Sequence, residues 1–112
     1  MLYPKCTFLF DLKIMNFKKK YIIIIPTYNE RKNIQFILNK IKKNIKFKHD
    51  ILFVDDNSTD GTKEILQKIK SKKILVINRK KKLGIGSAHK DGIKYAYASG
   101  YRYIITMDCD GT

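Results

Sequence analysis

The apolar residues of this chain fall into two kinds of run, and the two alternate. One kind is short, continuous and mostly β-branched: Ile22–Ile25, Ile51–Val54, Ile74–Ile77 and Tyr103–Met107. Runs of this length, bounded by turn residues, read as strands covered on both faces, as in a parallel sheet. Between them apolar positions recur every three or four residues. Ile34, Ile37, Leu38, Ile41 and Ile45 predict a first helix, with Asn29 or Thr27 as cap and Glu30 and Arg31 in the opening turn. Lys32, Lys40, Lys42, Lys43 and Lys46 fall on its other side and read as a solvated back. Ile65, Leu66 and Ile69 predict a second helix behind Asp60 or Ser58. A third is predicted from Ser87 to Ser99, with Gly100 as its stop and Ala88, Ile93, Ala96 and Tyr97 turned inward.

The predicted order is therefore β-α-β-α-β-α-β. Such alternation implies an α/β fold, a mostly parallel four-stranded sheet with right-handed crossovers and helices on its faces. Ligands of these sheets gather beyond the carboxyl ends of the strands. Here those ends read Pro-Thr-Tyr-Asn-Glu (26–30), Asp-Asp-Asn-Ser-Thr-Asp (55–60), a basic glycine-bearing loop (78–86) and Asp-Cys-Asp-Gly (108–111). Three acidic tips and one basic loop are expected on one edge.

Composition changes this picture little. At 112 residues the chain holds one domain with a modest core, and 44% apolar residues exclude wholesale disorder. The net charge of +14 favours anionic partners, yet 21 of the 24 basic residues are Lys and 3 are Arg. That excess of Lys, beside abundant Ile, Asn and Tyr, matches a drift towards A/T-rich codons. Much of the charge thus reads as solvated surface, and the forked arginine suited to phosphate is scarce. Cys6 and Cys109 stand far apart without a CxxC, which argues against a zinc site or a disulfide framework and fits a reducing compartment. No run approaches the roughly 18 apolar residues of a membrane span. The opening MLYPKCTFLFDLKIM is interrupted by Lys5, Asp11 and Lys13 and makes a poor signal peptide. Residues 1–20 are expected to be a flexible extension, with 1–14 upstream of a natural start at Met15.

The strand tips carry the chemistry. Asp108 and Asp110 are two apart in an extended segment and project to one side. Paired carboxylates repel unless a cation or a proton sits between them, and oxygen-only ligands suit Mg²⁺ or Mn²⁺ beside substrate phosphates. Asp55 and Asp56 should diverge, leaving Asp56 to accept hydrogen bonds from a base or ribose. Tyr28 offers a flat face for a base and Glu30 a further acceptor. In the loop KKKLGIGSAHKDG, Gly84 and Gly86 let backbone approach a diphosphate, and the next helix presents free N–H groups. It lacks the third glycine of a dinucleotide fingerprint. His89 reads as a helix-surface residue.

Taken in order, IIIIPTYNE, ILFVDDNSTDGT, KLGIGSAHKDGIKYA and GYRYIITMDCDG resemble the nucleotide-sugar half of a family 2, GT-A glycosyltransferase from about Tyr21 to Thr112. The K-L-G-x-G-x-A stretch is most similar to the dolichol-phosphate and polyprenol-phosphate mannosyltransferases. The resemblance implies that Pro26, Tyr28, Glu30, Val54 and Asp56 line the nucleotide site. It implies that Asp108 and Cys109 lie along ribose and diphosphate, with Asp108 and above all Asp110 on a Mg²⁺ or Mn²⁺ ion. Cys109 stands where alanine is frequent. The implied function is inverting, metal-dependent transfer of a hexose, mannose or glucose, from a nucleotide-diphospho-sugar donor to a polyprenyl or dolichyl phosphate or other glycan acceptor. A lipid-phosphate acceptor puts the enzyme in the cytoplasm or at the cytoplasmic face of a membrane, with a membrane-anchoring subunit or a C-terminal segment as partner. Family members continue about as long again, so residues 21–112 are expected to be an incomplete subdomain, inactive alone, with acceptor-side residues beyond Thr112. The competing expectation is a non-enzymatic basic α/β module on an anionic membrane or nucleic acid, which the acidic edge disfavours. A phospho-acceptor receiver domain would need its acidic pair after the first strand, not the second.

Overall fold

The computed structural model describes residues 2–4 and 19–109. The strands are β1 (Leu2–Pro4), β2 (Lys19–Thr27), β3 (Asp50–Asp55), β4 (Ile74–Asn78) and β5 (Tyr101–Thr106). The helices are α1 (Ile34–Asn44), α2 (Thr62–Ile69) and α3 (Ile85–Ala98). The four patterned strands form the expected parallel sheet, and the whole order is β1-β5-β2-β3-β4. A fifth strand was not foreseen: β1, within the extension expected to be flexible, pairs antiparallel with β5 at the edge. Lys19 and Lys20, also assigned to that extension, instead open β2, and its other residues, Cys6 and Met15 included, lie outside the described residues.

Alternation along β2 and β3 sorts the core into two layers. Ile23, Ile25, Ile51 and Phe53 face α1 and α2, packing on Ile34, Ile37, Ile41 and Leu66. Ile22, Ile24, Leu52 and Val54 face α3, packing on Ala88 and Ala96. Ile22 to Ile25 are all fully buried. Each such side chain contributes roughly 1.5–3 kcal/mol by leaving water, so β2 is the spine of the sheet.

The winding sets the functional edge. From β2 the chain steps outward through β3 to β4, with α1 and α2 on one face. It then returns under α3 on the opposite face to place β5 on the other side of β2. The topological switch therefore lies between β2 and β5, where a crevice opens at the carboxyl ends. Backbone bonds hold the tips in step past the strands: Asp56 N–H donates to the Thr27 carbonyl at 2.8 Å, Arg79 N–H to Asp55 at 2.9 Å and Met107 N–H to Ile24 at 3.0 Å.

Three local expectations are corrected. Helix α1 begins at Ile34 behind Asn33, which makes no side-chain cap bond, so neither Asn29 nor Thr27 caps it. Asn29 instead adopts a left-handed φ of 53° and ties its loop to the next one. Helix α3 begins two residues before Ser87, at Ile85. Tyr97, placed inward from spacing, is 58% exposed, while Gly92 takes a core position. Close approach explains the exchange, because a Cβ on Gly92 would sit 2.6 Å from Ile24 Cγ2. Only small residues fit where α3 crosses β2.

At the start of β5, Tyr101 is fully buried and its phenol donates to Asp50 Oδ2, at the start of β3, at 2.5 Å. Burial first, and then the Asp50 carboxylate, push its pKa far above the ordinary range, so it stays a donor.

Gly92→Ala is expected to destabilise the fold by about 1–3 kcal/mol despite the higher helix propensity of alanine. Urea unfolding of the two proteins checks this, and equal or greater stability in the variant would refute the close-contact account.

Candidate functional site

Two carboxylates leave β3 in different directions. Asp55 is fully buried and accepts from Thr27 Oγ1 at 2.7 Å, Ser58 Oγ at 2.6 Å and Ser58 N–H at 2.9 Å. It shapes the turn and has no surface to offer a ligand. Asp56 is also buried, but its oxygens accept from Leu83 N–H at 3.1 Å and Gly84 N–H at 2.8 Å. The Arg79 Nε lies 3.2 Å from Asp56 Oδ1, with both side chains about 5% exposed or less. Arg79 Nη2 donates to Ser87 at 2.8 Å, and Nη1 lies 3.7 Å from Asp91. Neither Nε nor Nη1 has an acceptor aligned for a hydrogen bond among the described residues, so these contacts hold chiefly by charge. Asp56 thus anchors the basic loop after β4 and sets the start of α3.

The loops after β2 and β3 are laced together. Asn29 N–H donates to Ser58 Oγ at 2.9 Å, Thr59 N–H returns to Asn29 Oδ1 at 2.8 Å, and Glu30 N–H reaches Thr62 Oγ1 at 3.1 Å. Asp60 accepts from Thr62 N–H at 3.0 Å and Arg31 N–H at 3.3 Å. It braces the entrance of α2 although Gly61, at φ 99°, holds the N-cap position. Desolvation pushes the Asp60 carboxyl up, but the Thr62 hydroxyl and amide and the Arg31 amide outweigh it and hold it below its ordinary value.

These constraints leave a cavity of about 290 Å³ at the β2–β5 switch. Pro26, Thr27, Tyr28 and Glu30 form one wall, and Asp108 and Cys109 form another. Asp56, Lys82 and the first turn of α3, at Gly84, Ile85 and Ala88, complete it. Six of the seven residues expected at a nucleotide therefore meet: Pro26, Tyr28, Glu30, Asp56, Asp108 and Cys109. Val54 does not join them. It is fully buried in the layer under α3, two residues deeper in β3 than Asp56 and covered by the helix at Gly92.

The remaining details differ by residue. Tyr28 is 36% exposed, with the Lys82 Nζ 4.1 Å from its ring centroid. Glu30 Oε2 accepts from Asn33 at 2.7 Å. Cys109 is buried and reaches from the cavity into the layer beside α1 and α2. Asp108 is exposed at the cavity, and Asp110 lies outside the described residues. Among the described residues no three His, Cys, Asp or Glu side chains gather as a metal site. Asp108 offers one hard oxygen ligand, which fits a Mg²⁺-like ion that fills its shell with water and substrate oxygens.

Sequence reading missed Arg79. Its signal was rarity: in a chain that otherwise uses Lys, an Arg at a strand exit marks a place where a planar fork is needed.

With this geometry in hand, the comparisons with known proteins are specific. A family model described as "Glycosyl transferase family 2" matches residues 22–112. The chain belongs to that family. It is 34% identical over 97 residues to a polyprenol monophosphomannose synthase of Mycolicibacterium smegmatis, covering 84% of this chain and 36% of that protein. It is 40% identical over 93 residues to a dolichol-phosphate mannosyltransferase of Pyrococcus furiosus, covering 81% and 26% respectively. The chain thus spans about a quarter to a third of the length of these relatives. Among solved structures it is similar to Staphylococcus aureus TarS in complex with UDP, with TM-score 0.70 and 30% identity over 81% of this chain and 27% of that one. It also resembles the mannosyltransferase PcManGT from Pyrobaculum calidifontis, in complex with GDP-Man and Mn²⁺, with TM-score 0.68 and 21% identity over 81% and 27%. The latter likeness is one of fold. Together they establish the α/β arrangement of a GT-A glycosyltransferase.

Two outcomes follow. Arg79→Met should cost about 3–5 kcal/mol by stranding the buried Asp56 carboxylate, read as a loss in urea midpoint. A loss below about 1 kcal/mol would show that the pair is not a structural anchor. For Asp60, whose pKa is depressed in the folded state, the contribution is complete above its ordinary value of 3.8 and is lost as pH falls through the lower folded value. Asp60→Asn should remove that part of the acid limb in urea midpoints measured against pH, and an unchanged limb would count against the brace.

Proposed function

We propose that this chain forms the donor-nucleotide half of a glycosyltransferase. The enzyme moves a hexose, mannose or glucose, from a nucleoside-diphosphate sugar to a polyprenyl or dolichyl phosphate, with inversion. The observation that carries this reading is the convergence of Tyr28, Glu30, Asp56 and Asp108 on one cavity at the β2–β5 switch. Tyr28 supplies a flat face for the base. Asp56 is fixed by Arg79 and two amides, so whatever acceptor capacity it keeps towards the cavity is held rigidly in place. Glu30, steadied by Asn33, would offer the nucleotide a further acceptor. The first turn of α3 brings the positive end of a helix to the wall, where diphosphate charge is favoured.

Asp108, with Asp110 two residues on, would hold a Mg²⁺ or Mn²⁺ ion, which neutralises charge on a departing diphosphate. The printed names of the two relatives, a polyprenol monophosphomannose synthase and a dolichol-phosphate mannosyltransferase, favour a mannosyl donor and a lipid-phosphate acceptor. Such an acceptor is already an anionic nucleophile, so the reaction needs no strong general base. It also sets the place of reaction, the cytoplasmic face of a membrane, with the enzyme peripheral and an anchoring subunit or a further segment as partner. Among the described residues no helix is long and apolar enough to cross a membrane.

A thermal-shift panel of GDP-, UDP- and dTDP-sugars with and without Mn²⁺ tests the reading. One donor at about ten times its Kd should raise the melting temperature by roughly 5 °C or more with metal. The rise should disappear in Asp108→Asn and in Asp110→Asn. A cooperatively melting chain that no donor shifts, or a shift indifferent to both metal and variants, would defeat it. Tight, salt-dependent binding to duplexes or acidic vesicles without regard to Mn²⁺ would favour the basic-module reading instead.

A further inference from the structure

The loop after β4 carries three successive lysines, Lys80, Lys81 and Lys82, and of these Lys82 lines the cavity. The other charged side chains of the lining are carboxylates: Glu30, Asp56 and Asp108. Arg79 stands close by, but its guanidinium is committed to Asp56 and Ser87. Lys82 is thus the one cation in the lining among the described residues, and its charge rests on a ring: its Nζ is 4.1 Å from the Tyr28 centroid. Both residues line the same cavity.

An ammonium over an exposed ring is a weak contact, worth a factor of about two to five in an equilibrium constant. Hydrogen bonds from an ammonium to anionic oxygens are stronger. The backbone around Lys82 is held at both ends, by buried Arg79 and by the Leu83 and Gly84 amides on Asp56. Movement therefore falls to the side chain, and lysine has the flexible stem and compact charge for it.

We propose that Lys82 is a two-position residue that couples diphosphate recognition to exposure of Tyr28. Without ligand it covers the ring. With a nucleoside diphosphate it swings onto the phosphate oxygens and frees the ring for the base. The inference rests on the nucleotide-donor reading above. It gives the site a means of rejecting nucleosides, which must displace Lys82 and offer it no new partner.

Titration of wild type and Lys82→Met with guanosine, GDP, uridine and UDP, in the presence of Mg²⁺, tests this. Lys82→Met should bind the nucleoside of the preferred base about two- to fivefold more tightly. It should bind the matching diphosphate roughly tenfold more weakly. In NMR spectra the Lys82 ε-methylene should be shifted upfield by the Tyr28 ring, lose that shift in Tyr28→Leu, and lose it in wild type on addition of the diphosphate. Circular dichroism checks that each variant melts as the wild type does. If wild type binds nucleotide and Lys82→Met leaves either affinity unchanged, or weakens the nucleoside, the coupling is wrong while the nucleotide site stands. If wild type binds none of the four ligands, the nucleotide reading falls and the coupling with it.

Discussion

The buried carboxylate of Asp56 is the point on which the functional edge depends. Three groups from the connection between β4 and α3 converge on it: the Arg79 guanidinium and the amides of Leu83 and Gly84. A buried charge is tolerated only where such partners surround it, and the partners in turn lose their freedom. The result is that the exit of β3, the exit of β4 and the start of α3 move as one piece. Lys82 reaches the cavity from a loop whose two ends are both fixed. Without that clasp the Lys-rich loop would be a solvated excursion, and no wall would stand opposite Tyr28.

The sheet provides the other half of the constraint. The long run of fully buried isoleucines in β2 fills both layers of the core, so β2 must lie inside the sheet with a helix on each face. Once it does, β5 returns on its far side and the exits of β2 and β5 open beside each other. Gly92 shows how closely this is fitted, since α3 approaches Ile24 to a distance that no Cβ could share. The site inherits its position from the winding and its shape from hydrogen bonds between loops. The net charge of +14 contributes little to either, because the charged residues lining the cavity are mostly carboxylates.

Adjacent acids in this chain have separate duties, and only their partners in the fold distinguish them. Asp55 closes its own turn, Asp56 anchors a neighbouring loop, and Asp60 braces α2 against the loop after β2. All three stand in one short acidic stretch. Their roles follow from which strand exit lies next to each, and spacing along the chain carries no such information.

What the sequence by itself determined is the framework. Hydrophobic period distinguishes strand from helix, and the alternation of the two forces a parallel sheet whose carboxyl ends carry the polar tips. Pro26, Tyr28, Glu30, Asp56, Asp108 and Cys109 could be placed at one edge on that basis and on family resemblance. Val54 lies outside the cavity lining because it sits two residues deeper in β3 than Asp56, where α3 covers it, a depth that spacing along the chain does not reveal. Tyr97 was misplaced because helical spacing cannot say which of two neighbouring positions meets a strand too close for a large side chain. Only the tertiary structure decided that Arg79 pairs with Asp56, that Lys82 lies over Tyr28, and that Leu2–Pro4 forms the edge strand beside β5. These are contacts between segments distant in sequence. Their energies depend on burial and on distances of a few ångströms, which exist only once the chain has closed on itself.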